Sequence, residues 1–369
     1  MRIGIMLRAY DRAGGIGIYT RNILRNLLEI DQKNEYILLY NNKDNIGTYG
    51  NRQNVKEIFL KKTNPILWDQ ILVPRIIKKM NVDIIFHTKF SVPLLTRAKK
   101  IMVLHGAGWF VQPELWKKSD VMYQKFATPI YCQAADFLVS NSDLTTQDFQ
   151  EIFKIPNGKI RTVNLAAGEN FRRVSDTSIL NEVRKKYNLP EKFVLTVTSY
   201  DPARKNFDTL LAAYEEARKK VGVDLLVVGK NCERYAQDFD FKKKGLESSV
   251  HFTGWVEQQD LPAIYSLAET FLFPSVYETF GIPVVEAMAC GCPVVASDTG
   301  AIPSLVKEAG LLCSPFDKEQ LARNLLRILT SEETASRFRR LGLERAKEFS
   351  WEKAARQTLK IFESVVYRF

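Results

Sequence analysis

Long apolar runs are missing from this chain. No stretch approaches the ~18–20 apolar residues that a bilayer-spanning helix needs. The opening residues, Met1 to Leu7, are too short and too strand-like for a secretory leader. Cysteine is scarce: Cys132, Cys232, Cys290, Cys292 and Cys313 are five in 369 residues. So few, and an odd number, exclude a disulfide framework and point to reduced thiols in a cytoplasm. Cys290 and Cys292 have the spacing of half a metal site, but no second Cys or His pair accompanies them. They read as small buried thiols. Histidine is rarer still, with His87, His105 and His251. Internal repeats and low-complexity segments are absent, as are zinc-finger and RNP-type motifs and any clear helix-turn-helix. No nucleic-acid partner is therefore expected, despite the basic charge.

What is present is an ordinary globular composition, 46% apolar and 26% charged. The length suggests two domains. Lysine and arginine number 53 against 42 acids, a net charge of +11. The excess is lopsided. Residues 1–168 hold 24 Lys+Arg and 14 Asp+Glu, leaving 29 and 28 for the rest. An anionic partner is expected to meet the first half.

Short apolar runs alternate with amphipathic stretches. Residues 3–7, 36–40, 82–86, 100–104 and 137–140 read as strands, as do 193–198, 224–228, 250–253, 270–273 and 293–296. Helical patterns fill the gaps, for example 17–29, 206–220 and 281–289. This alternation predicts α/β architecture with parallel sheets covered on both faces. The expected organisation is an N-terminal Rossmann-like domain over 1–168, a linker over 169–190, a second Rossmann-like domain over 191–348, and a final helical segment over 349–369. In such sheets ligands sit beyond the carboxyl ends of strands.

Four loops there carry chemistry. In the first, a strand ends near Phe273, Glu278 follows in a loop, and Gly281 and Pro283 open a helix bearing Glu286. Free N–H groups at a helix start hold anions, and a carboxylate grips adjacent sugar hydroxyls. Either glutamate alone would read as a solvated side chain. In the second, Arg204 and Lys205 lie between a strand and a helix, where both could neutralise a diphosphate. In the third, Gly14, Gly15 and Gly17 form a turn that matches neither a dinucleotide fingerprint nor a Walker loop. In the fourth, His105 closes a strand, with Trp109 and Trp116 beyond it.

Glu278 with seven residues before Glu286, Phe280-Gly281-Ile282-Pro283 between them, and Cys290-Gly-Cys-Pro-Val-Val-Ala-Ser-Asp298 after them resemble the signature of glycosyltransferase family 4. That family comprises retaining enzymes of the GT-B fold, two Rossmann-like domains facing across a cleft. The resemblance extends along most of the chain. It implies that Glu286 holds the donor ribose and Glu278 the transferred sugar. Backbone amides near Phe280, Gly281 and Ile282 would meet sugar and phosphate. Arg204 and Lys205 would meet the diphosphate, although the family's commoner arginine position is Tyr200 here. Gly15 and Gly17 would face the diphosphate, and Gly254 and Trp255 the nucleobase. His105 would bind sugar or stabilise charge, with Trp109 on the acceptor side. Gly106 replaces the family's aspartate. Asp298, Thr299 and Gly300 would support the motif helix, and the last segment would pack back on the first domain.

The implied activity is metal-independent transfer of a hexosyl group from a nucleoside-diphosphate sugar to a glycan or lipid-linked acceptor, in bacterial surface polysaccharide or glycolipid synthesis. No cofactor is required. Asp238 and Asp240 mimic a metal-binding Asp-x-Asp, but read as a solvated face. A non-catalytic nucleotide- or glycan-binding protein and a sugar-nucleotide epimerase stay open as alternatives on this fold. Residues 65–79 form a basic amphipathic pattern, either packed on the first sheet or lying on anionic lipid. With the +10 of this half, loose contact at the inner face of a membrane is expected of a cytoplasmic protein.

Overall fold

The computed structural model describes residues 1–367, so residues 368–369 of the expected final helix lie outside the described residues. The chain forms two compact units, 1–165 with Ser350–Phe369, and Ala166–Phe349. The first unit contains β1 (Arg2–Met6), β2 (Glu35–Tyr40), β3 (Val55–Phe59), β4 (Ile84–His87), β5 (Lys99–Leu104), β6 (Phe137–Ser140) and β7 (Ile160–Thr162). They pair in parallel in the order β3-β2-β1-β4-β5-β6-β7. The second contains β8 (Phe193–Val197), β9 (Asp224–Val228), β10 (Val250–Gly254), β11 (Thr270–Phe273), β12 (Val294–Ser297) and β13 (Gly310–Cys313), in the order β10-β9-β8-β11-β12-β13. This sheet is parallel too.

The sequence pattern located ten of these strands and missed β3, β7 and β13. All three are sheet edges. β3 reads Val-Lys-Glu-Ile-Phe and buries none of its residues fully, and β7 has only three residues. An edge strand covered on one side lacks the continuous apolar run that marks a central parallel strand. Two helices, Lys318–Leu329 and Glu332–Ala346, follow β13. Ser331 breaks them by accepting a hydrogen bond from the Thr334 N–H.

The stretch 169–190, expected as a linker, is folded within the second unit. Asp176 caps a helix over Thr177–Lys186, and Val183 and Leu189 are buried. Lys186 and the Tyr187 hydroxyl both bond Asp260, at 2.7 and 2.9 Å. The polar stretch near 172–178 suggested a linker because it is solvated, although the helix after it is anchored. The helix Trp351–Val366 belongs to the first unit, where Trp351 meets Tyr19 and Phe362 meets Phe86 edge-on.

Helix 65–79 packs on the first sheet through Trp68, Val73 and Ile77. All five cysteines are buried and free. Among the described residues no helix is long and apolar enough to cross a membrane.

The strand orders place the sites. Each sheet reverses direction once, between β1 and β4 in the first unit and between β8 and β11 in the second. Crossovers leave in opposite directions there, so the loops at the carboxyl ends part and open a crevice.

Candidate active site

At the β8/β11 switch point two loops are stapled together. Asp201 accepts from the Arg204 amide, and its carboxylate takes the Arg204 Nε–H at 2.8 Å. Asn206 adopts a φ of +54°, and its buried side-chain amide donates to the carbonyls of Pro274 and Pro315. The Val276 amide donates to the Arg204 carbonyl at 2.9 Å. The outcome is an ion-pair cluster: Lys205 Nζ lies 2.5 Å from Glu278 Oε1, and Arg204 Nη1 lies 3.4 Å from the same oxygen. Glu278 is 13% exposed at its side chain, so water screens the cluster weakly. Burial pushes the Glu278 carboxyl up, but the charges of Lys205 and Arg204 outweigh it and hold the pKa below its ordinary value. Glu278 therefore stays ionised. The sequence reading gave Glu278 to a sugar and the cations to a diphosphate. The structure brings all three into one cluster, so any diphosphate reaching these cations meets Glu278 already there.

The segment after β12 holds this loop in place. The Ser297 and Thr299 hydroxyls donate to the Ser275 carbonyl at 2.6 and 3.1 Å, and the Ala301 amide donates to the Glu278 carbonyl at 2.9 Å. At Gly300, φ is +61° and a Cβ would lie 2.3 Å from the Glu278 oxygen. Thr299 and Gly300 thus support the Glu278 loop, whereas the Asp298 amide donates to the Cys313 carbonyl on β13. Gly300→Ala is expected to displace Glu278 and to cost about 1–3 kcal/mol. Urea unfolding would read that cost, and an unchanged midpoint would free the loop from this packing.

Glu286 sits on the helix Ile282–Ala289, which starts after Gly281 at a φ of +106°. It is 4% exposed, and its carboxylate accepts from the Tyr265 hydroxyl at 3.1 Å. Burial pushes its pKa up to about 7, against a lowering by that hydrogen bond. Phe280 and Ile282 are buried, Phe280 edge-on to Phe349, so these two offer a ligand backbone more than side chain. Gly254 closes β10 and accepts from the Gly229 amide, while the next residue, Trp255, is 64% exposed. Tyr200, at the position of the family's commoner arginine, donates to Asp238 at 2.5 Å and lies under the Arg234 guanidinium. Asp240 caps the Lys243 amide.

At the β1/β4 switch point of the first unit, Gly15 starts the helix Gly15–Ile30. Gly17, within the first turn, is required for a close approach: any Cβ there would lie 1.7 Å from the Arg12 carbonyl oxygen. His105 Nε2 lies 2.8 Å from the Thr88 carbonyl oxygen. A carbonyl only accepts, so Nε2 carries the proton and Nδ1 is left as an acceptor. Burial lowers the pKa of His105 to about 4, against a raising by the Thr88 bond. The ring is neutral at physiological pH. In this state Nδ1 can accept from a hydroxyl. Trp109 is wedged between Phe90 and Trp116, at 5.0 and 5.2 Å. The Trp116 ring lies 2.9 Å from where a Cβ of Gly108 would be, which is why glycine precedes Trp109.

Sequence reasoning missed a buried polar chain beside this switch point. Arg8 holds Asp69 with two bonds of 3.1 and 2.8 Å, the Ser91 hydroxyl donates to Asp69 at 2.7 Å, and His87 Nδ1 lies 2.9 Å from that hydroxyl. Arg8 directly after an apolar strand was the available signal. It also missed Tyr265, which lies 21 residues before Glu286 and carries no motif.

Comparison with known proteins follows the same division. Residues 13–166 match the family model described as Glycosyltransferase Family 4, and 181–345 match Glycosyl transferases group 1. The O-antigen chain mannosyltransferase B of Escherichia coli is 30% identical over 287 residues, which cover 76% of this chain and 74% of that protein. The MMP alpha-(1->4)-mannosyltransferase of Mycolicibacterium hassiacum is 34% identical over 179 residues, 47% of this chain and 44% of that one. A glycosyltransferase from Rickettsia africae superposes with a TM-score of 0.80 at 18% identity, covering 100% of this chain and 99% of the other. The Anabaena HepE protein in complex with UDP and glucose gives 0.77 at 18% identity, covering 99% and 100%. Two parallel α/β sheets, these GT-B neighbours and the two family matches agree: the chain is a GT-B glycosyltransferase belonging to glycosyltransferase family 4, the glycosyl transferases group 1.

Proposed function

We propose that this enzyme moves a hexosyl group, with mannose the first to test, from a nucleoside-diphosphate sugar to a hydroxyl of a growing surface glycan or lipid-linked saccharide. The mannosyltransferases among its relatives support the sugar and the acceptor class. The Arg204–Lys205–Glu278 cluster at the β8/β11 switch point carries the donor assignment. As the C1–O bond breaks, negative charge grows on the departing diphosphate. Two preorganised cations in a weakly screened site stabilise that charge, and in this reading no metal ion is required. Glu278, displaced from the cations as the diphosphate arrives, turns to the hydroxyls of the transferred sugar. Glu286 takes the ribose. The acceptor hydroxyl attacks C1 from the face the diphosphate leaves, its proton passes to the departing diphosphate oxygen, and the configuration is retained. His105 orients a sugar hydroxyl through Nδ1.

Thermal-shift titration with UDP, GDP and ADP, each with and without EDTA, tests the donor site. A bound ligand stabilises by RT ln(1 + [L]/Kd). One nucleotide is expected to raise the melting temperature, and the rise is expected to survive EDTA. A shift abolished by EDTA would replace the two-cation reading with a metal-bridged one. No shift with any nucleotide would remove the donor assignment and favour a binding module.

A further inference from the structure

The helix Lys118–Ala134 is apolar on both sides. Its inner face buries Val121, Thr128, Tyr131 and Cys132. Its outer face should be polar if water were its only neighbour. Instead Met122, Phe126 and Ile130 follow one another at four-residue steps and are 62%, 73% and 52% exposed, with Tyr123 beside them at 47%. Residues four apart share one face, so these rings and chains form a continuous stripe. Single exposed apolar residues are common, but a stripe of large ones marks a surface that meets something other than water.

Two segments tied to this helix carry further exposed apolar residues. Leu95, after β4, is 86% exposed. Gln70 ties that segment to the helix before it, donating to the Val92 carbonyl and accepting from the Leu94 amide, and it also interacts with Tyr131 of the striped helix. On the Gln70 side, Ile66 and Ile71 are 54% and 41% exposed. Cations outnumber acids around the stripe, four exposed against Glu114 and Asp120. Lys117, Lys118, Lys125 and Arg97 are exposed. Among the described residues none of these four has an ion-pair partner, whereas Arg25, Lys186 and Lys219 elsewhere on the surface do. Apolar side chains on a helix with an excess of unpaired cations fit the boundary between anionic headgroups and acyl chains. A protein partner with an acidic rim would present the same charge but no acyl layer for a projecting phenylalanine and methionine.

We propose that the outer face of Lys118–Ala134, with Leu95, is the surface by which this glycosyltransferase rests on an anionic lipid bilayer. Phe126, Met122 and Ile130 insert below the headgroups, and the lysines pair with lipid phosphates. The amphipathic pattern at 65–79 is mostly consumed in packing on the first sheet and contributes only its outer edge. The proposal rests on a membrane-bound acceptor only in its purpose. The surface can be tested without any sugar.

The test is co-sedimentation of the full chain with vesicles of phosphatidylcholine containing about one-third phosphatidylglycerol, against phosphatidylcholine alone. The unmodified protein is expected to bind the anionic vesicles at least about tenfold better than neutral ones. Phe126→Glu/Ile130→Glu is expected to lose that binding while keeping its melting temperature and its nucleotide-induced thermal shift. A milder variant, Phe126→Ser, should bind partway between. Light scattering of both proteins in solution completes the set. No binding by the unmodified protein, or equal binding by the double variant, would overturn the proposal. A dimer that the double variant dissolves would overturn it too, assigning the stripe to a second copy of this chain. A thermal shift lost with vesicle binding intact would fault the donor site and leave this surface standing.

Discussion

Lys205→Ala is expected to lower turnover by roughly 10²–10³-fold, the usual consequence of removing one preorganised group from a developing oxyanion. The loss should fall on kcat more than on KM, because the charge it meets is greatest as the diphosphate leaves. A second effect comes with it. Glu278 would keep only the Arg204 guanidinium, 3.4 Å away, as its ionic partner. A buried carboxylate left short of partners costs about 1–3 kcal/mol. The variant should therefore be measured well below its melting point, with circular dichroism to confirm the fold. Lys205→Arg separates charge from geometry: it keeps the cation but moves it off the 2.5 Å contact. Turnover of the alanine variant within about threefold of the unmodified enzyme would take Lys205 out of the reaction.

Glu286→Gln is expected to bind nucleotide more weakly and yet to be the more stable protein at pH 8. The reasoning begins with burial. The carboxyl titrates near pH 7 in the folded chain, against an ordinary value of 4.5. A raised carboxyl pKa means the folded state prefers the proton. Stability from this group is full below pH 4.5 and is lost as pH rises through about 7. At pH 8 the folded chain carries a penalty on the order of 3 kcal/mol that glutamine does not have. The gain in melting temperature at pH 8 should vanish near pH 5. Binding has the opposite trend. Only the carboxylate accepts two sugar hydroxyls, so nucleotide affinity of the unmodified protein should be level above pH 7 and fall by up to about tenfold per unit below it. The glutamine variant should be flat. Calorimetric titration across pH 5.5 to 8.5, about one to two units on either side of the carboxyl, reads both. A flat profile in the unmodified protein would remove Glu286 from the nucleotide site.

The nine central strands were legible because a strand buried on both faces must be apolar throughout; the tenth located, β10, is an edge. β3 alternates Lys56 and Glu57 with its apolar residues because one side of it is open, and that pattern does not separate a strand from a loop. At the site, the signature from Glu278 to Glu286 marked a functional segment, and strand-end placement located Arg204, Lys205 and His105. That Lys205 and Glu278 touch could not be read. Their sequence separation of 73 residues is closed by Asn206 and Gly300, whose roles depend on backbone angles and on carbonyls distant in the chain. The neutrality of His105 was likewise set by its burial, and its tautomer by the carbonyl of Thr88, just beyond β4. The stripe on Lys118–Ala134 was hidden for another reason. Apolar residues on both faces of a helix look in sequence like a buried helix, and only the exposure of Phe126 in the fold separates the two.

The helix Trp351–Val366 ends with Trp351 against Tyr19 and Phe362 against Phe86, more than 270 residues back along the chain. During synthesis this reverses the customary order of domain completion. The second unit is one uninterrupted stretch, and each of its strands can pair as soon as it leaves the ribosome. The first unit emerges earlier but finishes later. Tyr19 and Phe86 wait uncovered while some 180 residues of an inserted domain are translated. The first unit thus keeps part of its core open until the whole second unit has been translated.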